Sequence, residues 1–164
     1  GARVIFAGMA QLDKTITLGS ASATTRFAEA LGAELAAGDT ILLEGGIGAG
    51  KTHLARALIL SRLPLPEDVP SPTFTLVQTY DAGAVELWHA DLYRLTDTSE
   101  LEELGLTDAF EEAICLIEWP DRLGSLRPAS ALTLRLDLGA KDTERRLHMS
   151  GSARWSFLND MALT

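Results

Sequence analysis

The sequence predicts an α/β fold: a sheet with flanking helices and an antiparallel strand extension. Three observations predict it. Residues 39–63, "DTILLEGGIGAGKTHLARALILSRL", pass from an apolar strand pattern through a glycine-rich loop into a helical pattern. A second continuous apolar run, "AICLIEW", reads as another buried strand. Beyond it, "SALTLRLDLG" and "ERRLHMS" alternate apolar and polar residues, as half-exposed strands do.

The bulk numbers bound the rest. At 164 residues the chain is read as a single domain over 1–164, and its 46% hydrophobic and 23% charged residues are those of an ordinary globular protein. No apolar stretch approaches the roughly 20 residues needed to cross a bilayer, and "GARVIFAGMA" is too short for a convincing signal peptide. The single cysteine, Cys115, can build neither a disulfide framework nor a cysteine metal site, so a reducing, cytoplasmic setting is expected. The net charge of −9 is concentrated: between Arg94 and Arg122 there is no Lys or Arg, while nine Asp and Glu residues occur there. Such a surface repels a phosphate backbone and disfavours direct nucleic-acid binding; it suits a basic protein partner or a solvated helix face.

In chain order, "SASATTRFAEALGAELAAG" places Phe27, Leu31 and Leu35 at helical spacing, with Gly38 as the expected stop. "DTILLEG" is a buried strand, and "KTHLARALILSRL" a helix ended by Pro64 and Pro66. "FTLVQTY" and "AVELWHADLY", joined by "DAG", suggest an antiparallel hairpin. Ser99 with Glu102 reads as a capping box opening a short acidic helix, and "ARWSFLNDMAL" as a short terminal helix.

The chemistry begins in the glycine loop. Gly45, Gly46, Ile47, Gly48, Ala49, Gly50, Lys51 and Thr52 fit G-x-x-x-x-G-K-[ST], between a strand and a helix as that motif requires. Glycines let successive N–H groups face one concavity, and the helix N-terminus adds its positive dipole end. Lys51 supplies a point charge for β- and γ-phosphates, and Thr52 a hydroxyl for an accompanying Mg²⁺. The predicted architecture is therefore a P-loop NTPase-like sheet. N-K-x-D, which reads guanine, is absent, so ATP is favoured over GTP.

Two strand ends offer the carboxylates such a site needs. Glu118 closes the more apolar run and is assigned to the metal side; Asp91 is assigned to orienting or activating the attacking water, with exchange of the two roles left open. Ser71 and Thr73 of "PSPTFT" are hydroxyls able to meet a γ-phosphate or metal, and a plain turn reads equally well. His89 is a candidate to orient Asp91, and Trp119 to pack near a nucleotide.

Taken in order, "GGIGAGKT", "SPTF", "HADLYRL", "LEELGL" and "CLIEWPDRLG" resemble the TsaE (formerly YjeE) family, bacterial ATPases of the tRNA threonylcarbamoyladenosine pathway, from about Ser20 to Arg146. The resemblance implies slow ATP hydrolysis with Mg²⁺ in support of threonylcarbamoyl transfer to adenosine 37 of tRNA. It implies TsaB and TsaD type proteins as partners, with tRNA met only through that complex. Carried over, it implies nucleotide contacts from Gly46, Ile47, Gly48, Ala49, Gly50, Lys51, Thr52 and His53, from Trp119 and Thr24, and from one of the late arginines, Arg145 or Arg146, with Arg146 the expected contact. It places Thr52 and Glu118 at magnesium, and makes Asp91 and Lys51 necessary for hydrolysis. Two positions depart from the family: Gly46 stands where aspartate is usual, and His53 where a second threonine is common.

Two other functional classes share the motif. A small-molecule kinase would want a lid with clustered arginines, whereas Thr96 to Trp119 contains no Arg or Lys. A nucleotide-dependent binding module, in which hydrolysis is incidental, is indistinguishable from an ATPase in the sequence.

Overall fold

The computed structural model describes residues 11–161, so "GARVIFAGMA" falls outside the described residues. Among the described residues no helix is long and apolar enough to cross a membrane. Among the described residues the seven strands are β1 (Leu12–Leu18), β2 (Thr40–Glu44), β3 (Val77–Asp81), β4 (Glu86–Asp91), β5 (Ile114–Glu118), β6 (Leu132–Leu138) and β7 (Arg145–Gly151). They form one sheet in the order β1-β7-β6-β2-β5-β4-β3. The centre is parallel, with β2 between β5 and β6, and β4 beside β5. β3 adds antiparallel at one edge, and β7 and β1 add antiparallel at the other.

Buried parallel strands explain the continuous apolar runs. "TILLE" and "ICLIE" are covered on both faces, so both side-chain sets must be apolar. Against one face, Ile41, Leu43 and Leu116 meet Phe27, Leu31, Leu54 and Leu58 of the helices α1 (Ala21–Gly32) and α2 (Lys51–Arg62). Against the other, Leu42, Cys115 and Ile117 meet Leu101 and Leu106 of α3 (Ser99–Glu103) and α4 (Leu106–Glu112), with Leu123. The hairpin expected from "FTLVQTY" and "AVELWHADLY" is the antiparallel β3–β4 pair, Tyr80 opposite Leu87.

Four local readings are corrected. Helix α1 stops at Gly32 rather than running to Gly38, because Arg62 Nη1 donates to the carbonyls of Gly32 and Leu35 at 2.8 Å each and satisfies the helix end from α2. Gly38, at φ +93°, instead turns the chain into β2. The capping box at Ser99 does not form: Thr98 is the cap without a side-chain bond, and the Ser99 N–H donates to Asp97 Oδ1 at 3.0 Å. "ARWSFLNDMAL" yields a 3-10 helix over Ala153–Asn159, with residues 162–164 outside the description. Strand β1 was not expected at all; its "LDKTITL" carries Lys14 on an otherwise apolar alternation, which weakens the period-two signal.

This topology positions the site. Strands β2, β4 and β5 run in the same direction, so their carboxyl ends share one rim, where open α/β sheets bind ligands. Register places Glu118 beside Leu43 on one side and Asp91 on the other.

Candidate active site

Alternation along the strands fixes which side chains share a face. Leu87 and Leu116 belong to the core under α1 and α2, so His89, Asp91 and Glu118, at even spacings from them, face the same side. Helix α2 begins over that rim. Its first residue, Lys51, is only 6% exposed, and Asp91 and Glu118 are buried.

The loop between β2 and α2 needs its glycines at two points. Gly45, at φ +139°, lies so close to β6 that a Cβ would meet Leu136 O at 2.5 Å. Gly50 caps α2 at φ +101°. The N–H groups of Gly48, Gly50, Lys51 and Thr52 have no acceptor among the described residues. Together with the helix dipole they offer a surface chemically suited to an anion.

Around that surface the side chains are held tightly. Lys51 Nζ donates to Gly45 O at 2.5 Å and lies 3.5 Å from the centre of the Trp119 ring. Burial pulls the Lys51 ammonium below its ordinary range, and the carboxylates of Glu118, Asp91 and Asp121 oppose that shift. Thr52 Oγ1 donates to Glu118 Oε1 at 3.0 Å, and His89 Nε2 lies 2.7 Å from Glu118 Oε2. Asp91 Oδ1 accepts the Tyr93 N–H at 3.0 Å, while Oδ2 accepts a longer bond from Thr73 Oγ1 at 3.4 Å; Ser71 Oγ lies 2.7 Å from that hydroxyl.

Two non-glycine residues among those described have left-handed backbones, and both sit here. Trp119, at φ +57°, turns the chain after β5 so that its ring covers Lys51 and meets the Tyr93 ring at 4.9 Å. Leu76, at φ +67°, closes a turn onto Pro72 O and accepts the Asp91 N–H at 2.9 Å, tying the "SPTF" loop to the end of β4. Such strain persists only where surrounding contacts over-determine it.

The structure brings most of the expected residues to one open cleft of about 400 Å³. Ile47, Gly48, Gly50, Lys51, Thr52, His53, Ser71, Thr73, Asp91, Glu118 and Trp119 line it, with Tyr93, which the sequence reading missed. Across Gly50 and His53 lies a smaller recess of about 100 Å³, lined by Thr24, Ala49, Leu136, Thr143 and Arg145 among others. Thr24 is buried there, its hydroxyl 3.4 Å from Ser20 O.

Three expected residues are placed differently. Gly46 is exposed and lines neither space. Arg146 is exposed on the opposite face of β7; it is Arg145 that reaches the loop, its Nε donating to Ala49 O at 2.9 Å. Strand parity decides between the neighbours, since Arg145 shares a face with the core residue Leu147. His89 touches Glu118 rather than Asp91.

Comparison with known proteins follows the same outline. The family model described as "Threonylcarbamoyl adenosine biosynthesis protein TsaE" matches residues 18–147. A protein of Rickettsia bellii named tRNA threonylcarbamoyladenosine biosynthesis protein TsaE is 36% identical over 139 residues, 85% of this chain and 95% of the relative. The protein of that name from Bacillus subtilis is 37% identical over 111 residues, 67% of this chain and 68% of the relative. The crystal structure of Bacillus subtilis YdiB superposes with a TM-score of 0.72 at 27% identity, covering 92% of this chain and 93% of that one.

Proposed function

The chain belongs to the TsaE family, and on that premise we propose that it is a P-loop ATPase subunit of the tRNA N6-threonylcarbamoyladenosine machinery. It binds and slowly hydrolyses ATP in the cytoplasm to sustain turnover of TsaB and TsaD type partners, and meets tRNA only through them. One P-loop NTPase-like domain, 1–164, carries this activity. The observation that carries the reading is the convergence, at one rim of the sheet, of free loop N–H groups, Lys51, Thr52, Glu118 and Asp91.

The donor set fits the groups the reading requires. Unpaired N–H groups and a buried ammonium suit phosphate oxygens. The Thr52 hydroxyl and Glu118 carboxylate are hard oxygen donors of the kind Mg²⁺ takes alongside phosphate and water, and their mutual contact supports Glu118 on the metal side. Bound with ATP, Mg²⁺ would neutralise charge on the β- and γ-phosphate oxygens. Lys51 leaves Gly45 O to meet the same oxygens. The smaller recess, with Thr24 and Arg145, suits the nucleoside.

Hydrolysis then needs one positioned base. Asp91 is anchored through Oδ1, and its Oδ2, held only at 3.4 Å, can accept a hydrogen bond from water. The water oxygen bonds to the γ-phosphorus as the bond to the β–γ bridging oxygen breaks, that electron pair leaving on ADP. The proton released passes through Asp91 to the departing phosphate.

Reconstitution with the partners and tRNA tests this. Weak ATPase alone, enhanced by partners, and loss of tRNA modification in Lys51→Ala and Glu118→Ala are expected. Wild-type turnover in both variants would overturn the proposal.

A further inference from the structure

Behind the cleft, His89 is fully buried on β4 and is not itself one of the residues that line the cleft. Among the described residues its single polar contact is Nε2 to Glu118 Oε2 at 2.7 Å, while Nδ1 is buried with no partner there. These contacts select a tautomer. A proton on Nδ1 would strand an N–H in the core and aim the Nε2 lone pair at a carboxylate oxygen; a proton on Nε2 makes a charge-assisted bond and leaves only an acceptor unpaired. Burying an imidazole with one orphan nitrogen has a cost that an aliphatic side chain would avoid. What the histidine returns is the orientation of Glu118, whose Oε2 is held from behind so that Oε1 faces Thr52.

We propose that His89 is a positioning residue that sets the Mg²⁺ affinity of the nucleotide site by holding the Glu118 carboxylate in its metal-binding orientation. The proposal rests on the ATPase reading above. Residues that orient metal ligands from behind typically account for about 10–100-fold in metal affinity. The role belongs to metal binding and not to nucleotide binding as such, because His89 makes no hydrogen bond to the glycine loop or to Lys51 among the described residues.

The test separates these two quantities. In calorimetric titrations of ADP at stepped Mg²⁺ concentrations, His89→Leu should raise the Mg²⁺ concentration for half-maximal tightening by about tenfold or more, while ADP affinity in EDTA stays unchanged. His89→Gln, whose amide N–H reaches nearly as far as Nε2, should recover most of the wild-type midpoint; His89→Asn, too short to reach Glu118, should not. Circular dichroism establishes that each variant is folded. If His89→Leu does not fold, the Gln and Asn pair decides. If none folds, the wild-type protein does: its imidazole nitrogen spectrum should show the proton on Nε2, with a resonance that moves when Mg²⁺ joins bound ADP. An unchanged midpoint in His89→Leu or in His89→Asn, equal losses with and without Mg²⁺, or a proton on Nδ1 would overturn the role of His89. Wild-type protein that binds no nucleotide even with Mg²⁺ would instead overturn the ATPase reading.

Discussion

Gly45 and Gly46 are neighbours with opposite constraints. A Cβ on Gly45 would sit 2.5 Å from Leu136 O at a backbone angle of +139°, so Gly45→Ala should destabilise the protein by roughly 1–3 kcal/mol in urea unfolding. A Cβ on Gly46 would meet nothing within 4 Å, so Gly46→Asp should change stability by less than about 0.5 kcal/mol. The sequence motif treats the second position as free, and the structure gives the reason: it projects into solvent at the outer edge of the loop. Lys51, Thr52, Asp91 and Glu118 were picked out as single residues by the side-chain types a phosphate and metal site would require, and the structure brings all four to one cleft. His89 was read as a partner of Asp91, two residues along the same strand, whereas the parallel pairing of β4 with β5 brings it to Glu118, 29 residues away in the chain. Arg145 and Arg146 are chemically identical neighbours, and only strand parity separates them.

At the level of elements, the ends of helices decide more than their middles. Ser20 Oγ accepts the Ala23 N–H at 3.1 Å and starts α1, which carries Thr24 to the smaller recess. Ser20→Ala should therefore cost about 1 kcal/mol in thermal unfolding. The terminal 3-10 helix is tied back by Arg154, which donates to Asp39 at 2.7 and 3.2 Å and to Glu34 O, and stacks over Trp155. Arg154→Ala leaves the largely buried Asp39 carboxylate without its cation, and a loss of roughly 1–3 kcal/mol is expected in the same measurement. The long α2 and the two apolar strands were readable from periodicity because burial imposes it. The end of α1 was not, since its carbonyls are satisfied by Arg62, 30 residues along the chain from Gly32.

Across the whole molecule, the central sheet insulates its own thiol. Cys115 sits on β5 between β2 and β4, fully buried, and burial pushes the thiol up to about 12. It should resist alkylation at pH 8 in the native state and react only at the rate of unfolding; rapid labelling without urea would contradict this. The cleft, on the proposed function, would couple stability to ligand. On the proposed function, MgATP at about 100 times its Kd adds about 2.7 kcal/mol, or roughly 5–10 °C in Tm for a chain of this size. Lys51→Ala should show no such shift in a thermal melt with and without MgATP.

The sequence by itself determined the α/β class, the strand–loop–helix unit and the residue types of the site. Each follows from a local requirement: apolar side chains for buried strands, glycines for a loop that exposes its N–H groups, and a lysine and carboxylates for the phosphate and metal of the proposed function. Only the tertiary structure decided which carboxylate His89 serves, which arginine meets the loop, and that β1 extends the edge beside β7. Those outcomes depend on register and parity between strands far apart in the chain. A shift of one residue reverses which face a side chain occupies, and no local composition records that choice.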